Sequence, residues 1–166
     1  KEMGTDQILS VIDEITEAGC LFLLITGGEP LLRKDFSEIY SYAKRNGLLV
    51  TVFTNGTVIK ENIIGLFKDL PPHEVEISLY GATAGTYERI TRGIGSFGKC
   101  ISGIERLLED GIRVRLKTML MTLNTHEFFE IKKMAEQYGA KFRFDPAISP
   151  CLNGDRSPLE FRVAPE

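Results

Sequence analysis

The chain is poor in the residues that most often announce a function. It has two histidines and three cysteines in 166 residues. Cys20, Cys100 and Cys151 are widely separated, odd in number and at no metal-ligand spacing. This argues against a disulfide framework and for buried or incidental thiols in a reducing, cytoplasmic setting. No apolar run approaches the ~20 residues that span a bilayer. The first residues do not read as a signal peptide, so no membrane partner is expected. A net charge of only −3 gives no electrostatic reason to expect nucleic acid. What remains is the composition of an ordinary globular domain, 43% apolar and 26% charged, long enough for one substantial core.

The organisation is a repeated helix–glycine–strand unit. Residues 6–18 place Ile8, Val11, Ile12, Ile15 and Ala18 at helical spacing, with Thr5 as the expected cap and Gly19 as the stop. A strand is predicted over 20–26. The next helix carries Phe36, Ile39, Tyr40 and Ala43 on one stripe, with Asp35 and Glu38 at capping-box spacing. Strand 48–54 follows. A helix through Ile63, Leu66, Phe67 and Leu70 stops at Pro71-Pro72. Strand 74–80 is next, then a short helical piece near Tyr87–Ile90 and a helix after Ser96. Strand 113–121, a helix from Phe128 to Tyr138 and strand 141–148 complete the alternation. Residues 1–150 read as one domain, and 151–166 as a linker toward a further extension.

Such alternation implies right-handed crossovers and a parallel sheet. Three strands alternate polar and apolar residues, as a strand covered by helices on both faces does not. Glu74, Glu76, Ser78 and Tyr80 oppose Val75, Ile77 and Leu79; Arg113, Arg115 and Lys117 oppose Val114 and Leu116; Lys141, Arg143 and Asp145 oppose Phe142 and Phe144. The expected architecture is a curved, open α/β barrel with a wet lumen. The lumen charges have two readings. Glu76, Arg115 and Arg143 neutralise one another across strands, or the cations Arg115, Lys117 and Arg143 hold carboxylates of a ligand.

Thr26-Gly27-Gly28-Glu29-Pro30 follows the first strand. Two glycines let the backbone approach a ligand closely, Glu29 offers a carboxylate for an ammonium group, and Pro30 fixes the exit. The alternative is a tight turn with an exposed glutamate. Thr54-Asn55-Gly56 follows the second strand, and Ile77-Ser78-Leu79-Tyr80-Gly81 closes the third. Tyr87-Glu88-Arg89-Ile90-Thr91-Arg92-Gly93 and then Gly95-Ser96-Phe97 come next, and Asn124 lies after the fourth strand.

In this order and at these strand ends, the motifs resemble those of the radical S-adenosylmethionine (radical SAM) family, in particular its peptide-modifying, SPASM-type branch. The resemblance implies a partial TIM-like barrel, its five parallel strands corresponding to strands 2–6 of a (β/α)6 core. It implies that Gly27, Gly28, Glu29 and Pro30 hold the methionyl amino group of S-adenosylmethionine and that Thr54 and Asn55 shape the floor. Ser78 and Arg92 then meet the carboxylate or ribose, a guanidinium fork suiting a carboxylate. It further implies a [4Fe–4S] cluster at which S-adenosylmethionine is cleaved to a 5′-deoxyadenosyl radical, an electron donor such as flavodoxin or ferredoxin, and a peptide or small-molecule substrate.

The chain departs from the family pattern in two places. Tyr80 stands where an aspartate is common, and the Cys-x3-Cys-x2-Cys cluster loop is absent. The expectation is a truncated piece, inactive alone, whose cluster ligands precede Lys1 and whose exposed sheet edge invites self-association. Two rival readings are a non-catalytic scaffold or binding domain of this fold and a non-radical aldolase-like barrel. The second needs a Schiff-base lysine, for which Lys117 is the candidate, or a metal constellation using His73 or His126.

Overall fold

The computed structural model describes residues 2–164. α1 (Thr5–Glu17) leads into β1 (Phe22–Ile25), α2 (Phe36–Arg45) into β2 (Leu49–Thr54), and α3 (Glu61–Asp69) into β3 (Glu74–Ser78). Two helices, α4 (Ala84–Thr91) and α5 (Ser96–Glu109), separate β3 from β4 (Val114–Met119). α6 (Phe128–Gln137) precedes β5 (Lys141–Asp145). The five strands are all parallel and pair in chain order, β1-β2-β3-β4-β5.

That order decides the architecture. Right-handed crossovers that always step the same way put every helix on the same face of the sheet. The opposite face is left open, as in a barrel and unlike a doubly wound sheet. The helix-facing residues Val50, Val52, Val75, Ile77 and Leu116 are fully buried. They meet the stripes Phe36, Ile39, Tyr40 and Ala43 of α2, Ile63 and Phe67 of α3, Ile104 and Leu107 of α5, and Ile131 and Ala135 of α6. Fully buried Tyr40 satisfies its phenol by donating to the Leu70 carbonyl at 2.7 Å. The fold is thus a partial, open β/α barrel, as the alternating strands predicted.

β1 is an outer strand with its apolar side chains showing: Phe22 is 62% exposed and Leu24 46%. Between α1 and β1 runs a groove of about 660 Å³, lined by Ile8, Val11, Ile15, Leu23 and Ile25 and leading to Gly27 and Gly28. No helix among the described residues is long and apolar enough to cross a membrane.

Capping expectations fail where another side chain claims the capping group. Thr5 does not cap α1. Gly4 does, with the Gln7 side chain accepting from its N–H at 3.0 Å, while the Thr5 hydroxyl donates to Asp35 at 2.6 Å. Asp35 flanks α2 but makes no capping bond, because Arg33 grips its carboxylate with Nε and Nη2 at 2.7 and 2.8 Å. The hydrogen bonds from Arg33 and then Thr5 hold Asp35 down at about 2. Strands β3, β4 and β5 stop at Ser78, Met119 and Asp145, short of Tyr80, Met121 and Ile148. The tail beyond β5 turns back on the barrel: Thr122 donates to the Phe161 carbonyl at 2.9 Å and Arg162 to that of Ile148 at 2.7 Å.

Candidate functional site at the C-terminal rim

The strand registers bring several candidate residues to one level. Ser78 of β3 pairs with Lys117 of β4, which pairs with Arg143 of β5. Phe53 pairs with Glu76, so Asn55, just past β2, comes at the level of Ser78; Gly28 lies three residues past the last β1 pair, Ile25–Val52, and its neighbour Glu29 ties that turn to the Asn55 N–H. The open face therefore carries a rung Asn55, Ser78, Lys117, Arg143 at the C-terminal ends of the strands, with the Gly28 turn tied to its near end.

The first two motifs are bolted together by Glu29. Its Oε1 accepts from the Thr54 hydroxyl at 2.7 Å and the Leu31 N–H at 3.1 Å, and its Oε2 accepts from the Asn55 N–H at 2.7 Å. The Glu29 carboxylate is thus not a free group: three protein donors occupy it, two on Oε1 and one on Oε2, which leaves one acceptor position on Oε2. Ammonium acceptors on this turn are therefore the glycine backbone carbonyls and that one position on Glu29 Oε2. Gly27 sits at φ 149°, where side-chain-bearing residues are strained, and a Cβ added at Gly27 or Gly28 would meet nothing within 4 Å. The backbone there faces open space. Pro30 is buried and opens a 3-10 turn over Pro30–Leu32, so it holds the glycine pair against the sheet.

Thr54-Asn55-Gly56 is held from three sides. Thr54 Oγ1 also accepts from the Gly56 N–H at 3.1 Å, and Asn55 Oδ1 accepts from the Thr57 N–H and hydroxyl at 2.8 and 2.6 Å. α5 closes on this turn so tightly that a Cβ on Gly103 would collide with the Gly56 carbonyl oxygen. The Arg106 guanidinium of α5 adds a bond to the Ile59 carbonyl at 2.7 Å.

After β3, Gly81 lets α4 approach, since a Cβ there would lie 2.7 Å from the Tyr87 backbone nitrogen. Half-buried Tyr80, in the departing position, rests its ring 6.3 Å from that of Tyr87. Asn124 is 1% exposed and fully engaged: Nδ2 donates to the carbonyls of Tyr80 and Met119, both at 3.0 Å, and Oδ1 accepts from Met121 at 2.8 Å. It ties the ends of β3 and β4 together.

Sequence reasoning missed Glu127. Its carboxylate accepts from the Ala82 and Thr83 N–H groups and from the hydroxyls of Thr83 and Thr86, at 2.6 to 3.2 Å. Burial alone would raise it, but the bonds from the Thr86 and Thr83 hydroxyls and the Ala82 and Thr83 backbone outweigh burial and hold it below the usual carboxylate range. Nothing local signals a pairing between residues 44 positions apart.

The lumen charges form ion pairs; Arg143 meets Glu76 as expected, but the partner of Arg115 differs. Arg115 pairs with Glu74 at 2.7 Å, as does Lys141 at 3.4 Å, and not with Glu76. Glu76 is 3% exposed and lies between Lys117 at 4.0 Å and Arg143 at 3.8 Å. Lys117 also sits 5.5 Å from the Phe53 ring centroid. Arg92 ends α4 in the left-handed region, φ 56°, exposed. No hydrogen bond or ion pair among the described residues joins it to the rung.

The thiols remain apart: Cys20 is half-buried, Cys151 exposed, and Cys100 buried, with burial pushing it up to about 11 against a hydrogen bond from Tyr87. No three His, Cys, Asp or Glu side chains among the described residues gather as a metal-binding group. These residues do not fit an iron–sulfur cluster. They do fit part of an S-adenosylmethionine cradle, on the strength of the open glycine backbone and the rung beside it.

The chain is similar to known proteins over most of its length. The family profile described as "Radical SAM superfamily" matches residues 1–137. The chain is 30% identical over 156 residues to an AdoMet-dependent heme synthase of Methanosarcina barkeri, covering 94% of this chain and 45% of that protein. It is 32% identical over 143 residues to the mycofactocin maturase MftC of Mycobacterium tuberculosis, covering 86% and 36%. The chain thus spans less than half the length of these curated relatives. Among solved structures, Streptococcus suis SuiB superposes with a TM-score of 0.79 at 15% identity, over 94% of this chain and 36% of SuiB. SuiB bound to S-adenosylmethionine gives 0.76 at 15% identity, over 86% and 33%. With the profile covering most of its length, the chain belongs to the radical SAM superfamily.

Proposed function

We propose that this chain is the S-adenosylmethionine-holding portion of a radical SAM enzyme that modifies a peptide or makes a peptide-derived cofactor. The observation that carries the reading is the Glu29 latch, which brings the open glycine backbone beside Asn55 on a rung shared with Ser78. Carbonyls at Gly27 and Gly28 accept from the methionyl ammonium. The Asn55 side-chain amide, bonded only to Thr57, and the Ser78 hydroxyl, which has no protein hydrogen bond among the described residues, take ribose or carboxylate. Arg92 is the guanidinium assigned to the methionyl carboxylate.

The whole protein's activity, which we take to be reductive cleavage of S-adenosylmethionine to a 5′-deoxyadenosyl radical, needs a [4Fe–4S] cluster and an electron donor such as flavodoxin or ferredoxin. This chain's own thiols do not supply the cluster ligands, and we assign those to sequence outside it. The peptide preference rests on the mycofactocin maturase relative and on the fold shared with SuiB, whose structure bound to the precursor peptide SuiA gives a TM-score of 0.76.

The test is thermal unfolding with S-adenosylhomocysteine and the variant Gly28→Ala. A ligand at a hundred times its Kd stabilises by about 2.7 kcal/mol, which for a chain of this size is roughly 5–11 °C in Tm. Gly28→Ala introduces a methyl that touches nothing in the protein. The variant is expected to keep its unliganded Tm and lose most of the ligand-induced rise. An undiminished rise in Gly28→Ala, or no rise in the parent chain, would refute the assignment.

A further inference from the structure

The far end of the rung carries charge that the cofactor reading does not use. On the open face of β4 and β5, the cations Arg115, Lys117, Lys141 and Arg143 stand against Glu74, Glu76 and Asp145, in a chain whose net charge is −3. The pairing is uneven. Arg115 and Lys141 are satisfied at Glu74, at 2.7 and 3.4 Å. Lys117 and Arg143 share Glu76 at 4.0 and 3.8 Å, too far for a hydrogen bond from either. Glu76 is 3% exposed, and its Oε1 is buried with no hydrogen-bond partner among the described residues. Asp145 is turned to the Ala147 N–H at 3.0 Å and enters no ion pair among the described residues. Two under-coordinated cations, adjacent across one strand interval, therefore face the lumen over one buried carboxylate.

We infer that Lys117 and Arg143 receive a carboxylate of the substrate, with Glu76 as the positioning residue beneath them. The inference deepens the proposed function and rests on it. A guanidinium and an ammonium side by side bond both oxygens of one carboxylate without displacing Glu76, whose own bonds to them are not formed. The cofactor's carboxylate is the competing source of this chemistry, and strand spacing separates the two. β4 and β5 lie three and four intervals from β1, roughly 14 and 19 Å along the sheet at ~4.8 Å per interval. A methionyl group held by its ammonium at Gly27–Gly28 keeps its carboxylate on the neighbouring atom. Lys117 and Arg143 then select a substrate with a carboxylate, such as an acidic side chain or the chain end of a peptide.

The test uses N-acetylglycine as probe and N-acetylglycinamide as its uncharged counterpart, read on the backbone amides of Lys117 and Arg143 by ¹⁵N NMR at constant ionic strength. Saturable shifts are expected with the acid only. Lys117→Gln and Arg143→Gln are each expected to weaken binding about ten-fold, the scale of one charge-assisted bond. Glu76→Gln removes the competing anion and is expected to tighten binding several-fold, whereas a variant that merely misfolds weakens it. Saturating S-adenosylhomocysteine is expected to leave the acid bound. Equal shifts from the amide, indifference to Lys117→Gln, or no tightening in Glu76→Gln would overturn the inference. Displacement of the acid by S-adenosylhomocysteine would assign the pair to the cofactor and overturn it too. The Gly28→Ala experiment reads the cofactor site separately, so failure there leaves this result interpretable.

Discussion

Glu29 is the side chain whose removal has the most specific expected consequence. Its two oxygens accept from Leu31, Thr54 and Asn55 at 3.1, 2.7 and 2.7 Å. Glu29→Gln is nearly isosteric but replaces one acceptor with a donor, and neither rotamer of the new amide escapes conflict. An NH2 in the Oε2 position points at the Asn55 N–H. An NH2 in the Oε1 position finds the Thr54 oxygen but opposes the Leu31 N–H. One half-buried donor is left without an acceptor either way, at a cost of about 1–3 kcal/mol. At roughly 2–4 °C per kcal/mol for a chain of this length, Tm is expected to fall by about 2–12 °C. Glu29→Ala, which abandons all three donors, is expected to cost more than Glu29→Gln. Both should impair S-adenosylhomocysteine binding, because the glycine turn and the Asn55 turn are no longer tied. Differential scanning calorimetry with and without ligand measures both effects. Unchanged Tm in Glu29→Gln, or ligand affinity unchanged in Glu29→Ala, would refute the latch.

Gly103→Ala forces a methyl into the Gly56 carbonyl and is expected to destabilise by about 1–3 kcal/mol or more in urea unfolding, whereas Gly98→Ala on the same helix, with nothing within 4 Å of its added Cβ, should not. Glu127 is held below its ordinary range in the fold, so its stabilising contribution is complete above that range and is lost as pH falls through the depressed folded value. Glu127→Gln should therefore lower neutral-pH stability and flatten the acid limb of the stability curve. Asp35 should titrate at about 2 by NMR, with Arg33→Ala returning it toward the usual carboxylate range. Leu24→Lys places a charge on the outer strand at a side chain 46% exposed and should reduce any self-association seen by analytical ultracentrifugation.

Helix stripes were legible because burial enforces their period: Phe36, Ile39, Tyr40 and Ala43 are all buried as read. The open face was legible in period two, with Val114 and Leu116 of β4 buried and Arg115 and Lys117 less so; on β3 the period shows in polarity alone, since Glu74 and Glu76 are buried like Val75 and Ile77. Strand ends were not legible, because a strand stops where its neighbour stops pairing. β5 ends at Asp145, although Ile148 beyond it is still buried at 8% exposed. Capping by Thr5 and Asp35 was misread because spacing does not reveal that Arg33 claims Asp35 first. The motif residues were recognisable singly, but what Glu29 does was not. Its partners lie up to 26 positions away, and only the fold brings donors to both oxygens. Glu127 was invisible for the same reason.

The most direct measurement is a ¹⁵N chemical-shift map of the chain titrated with S-adenosylhomocysteine. The largest changes are expected together at Gly27, Gly28, Asn55 and Ser78, residues at the C-terminal ends of three adjacent strands. Changes confined to the groove between α1 and β1, scattered over the helices, or missing from these four amides at saturation would contradict it.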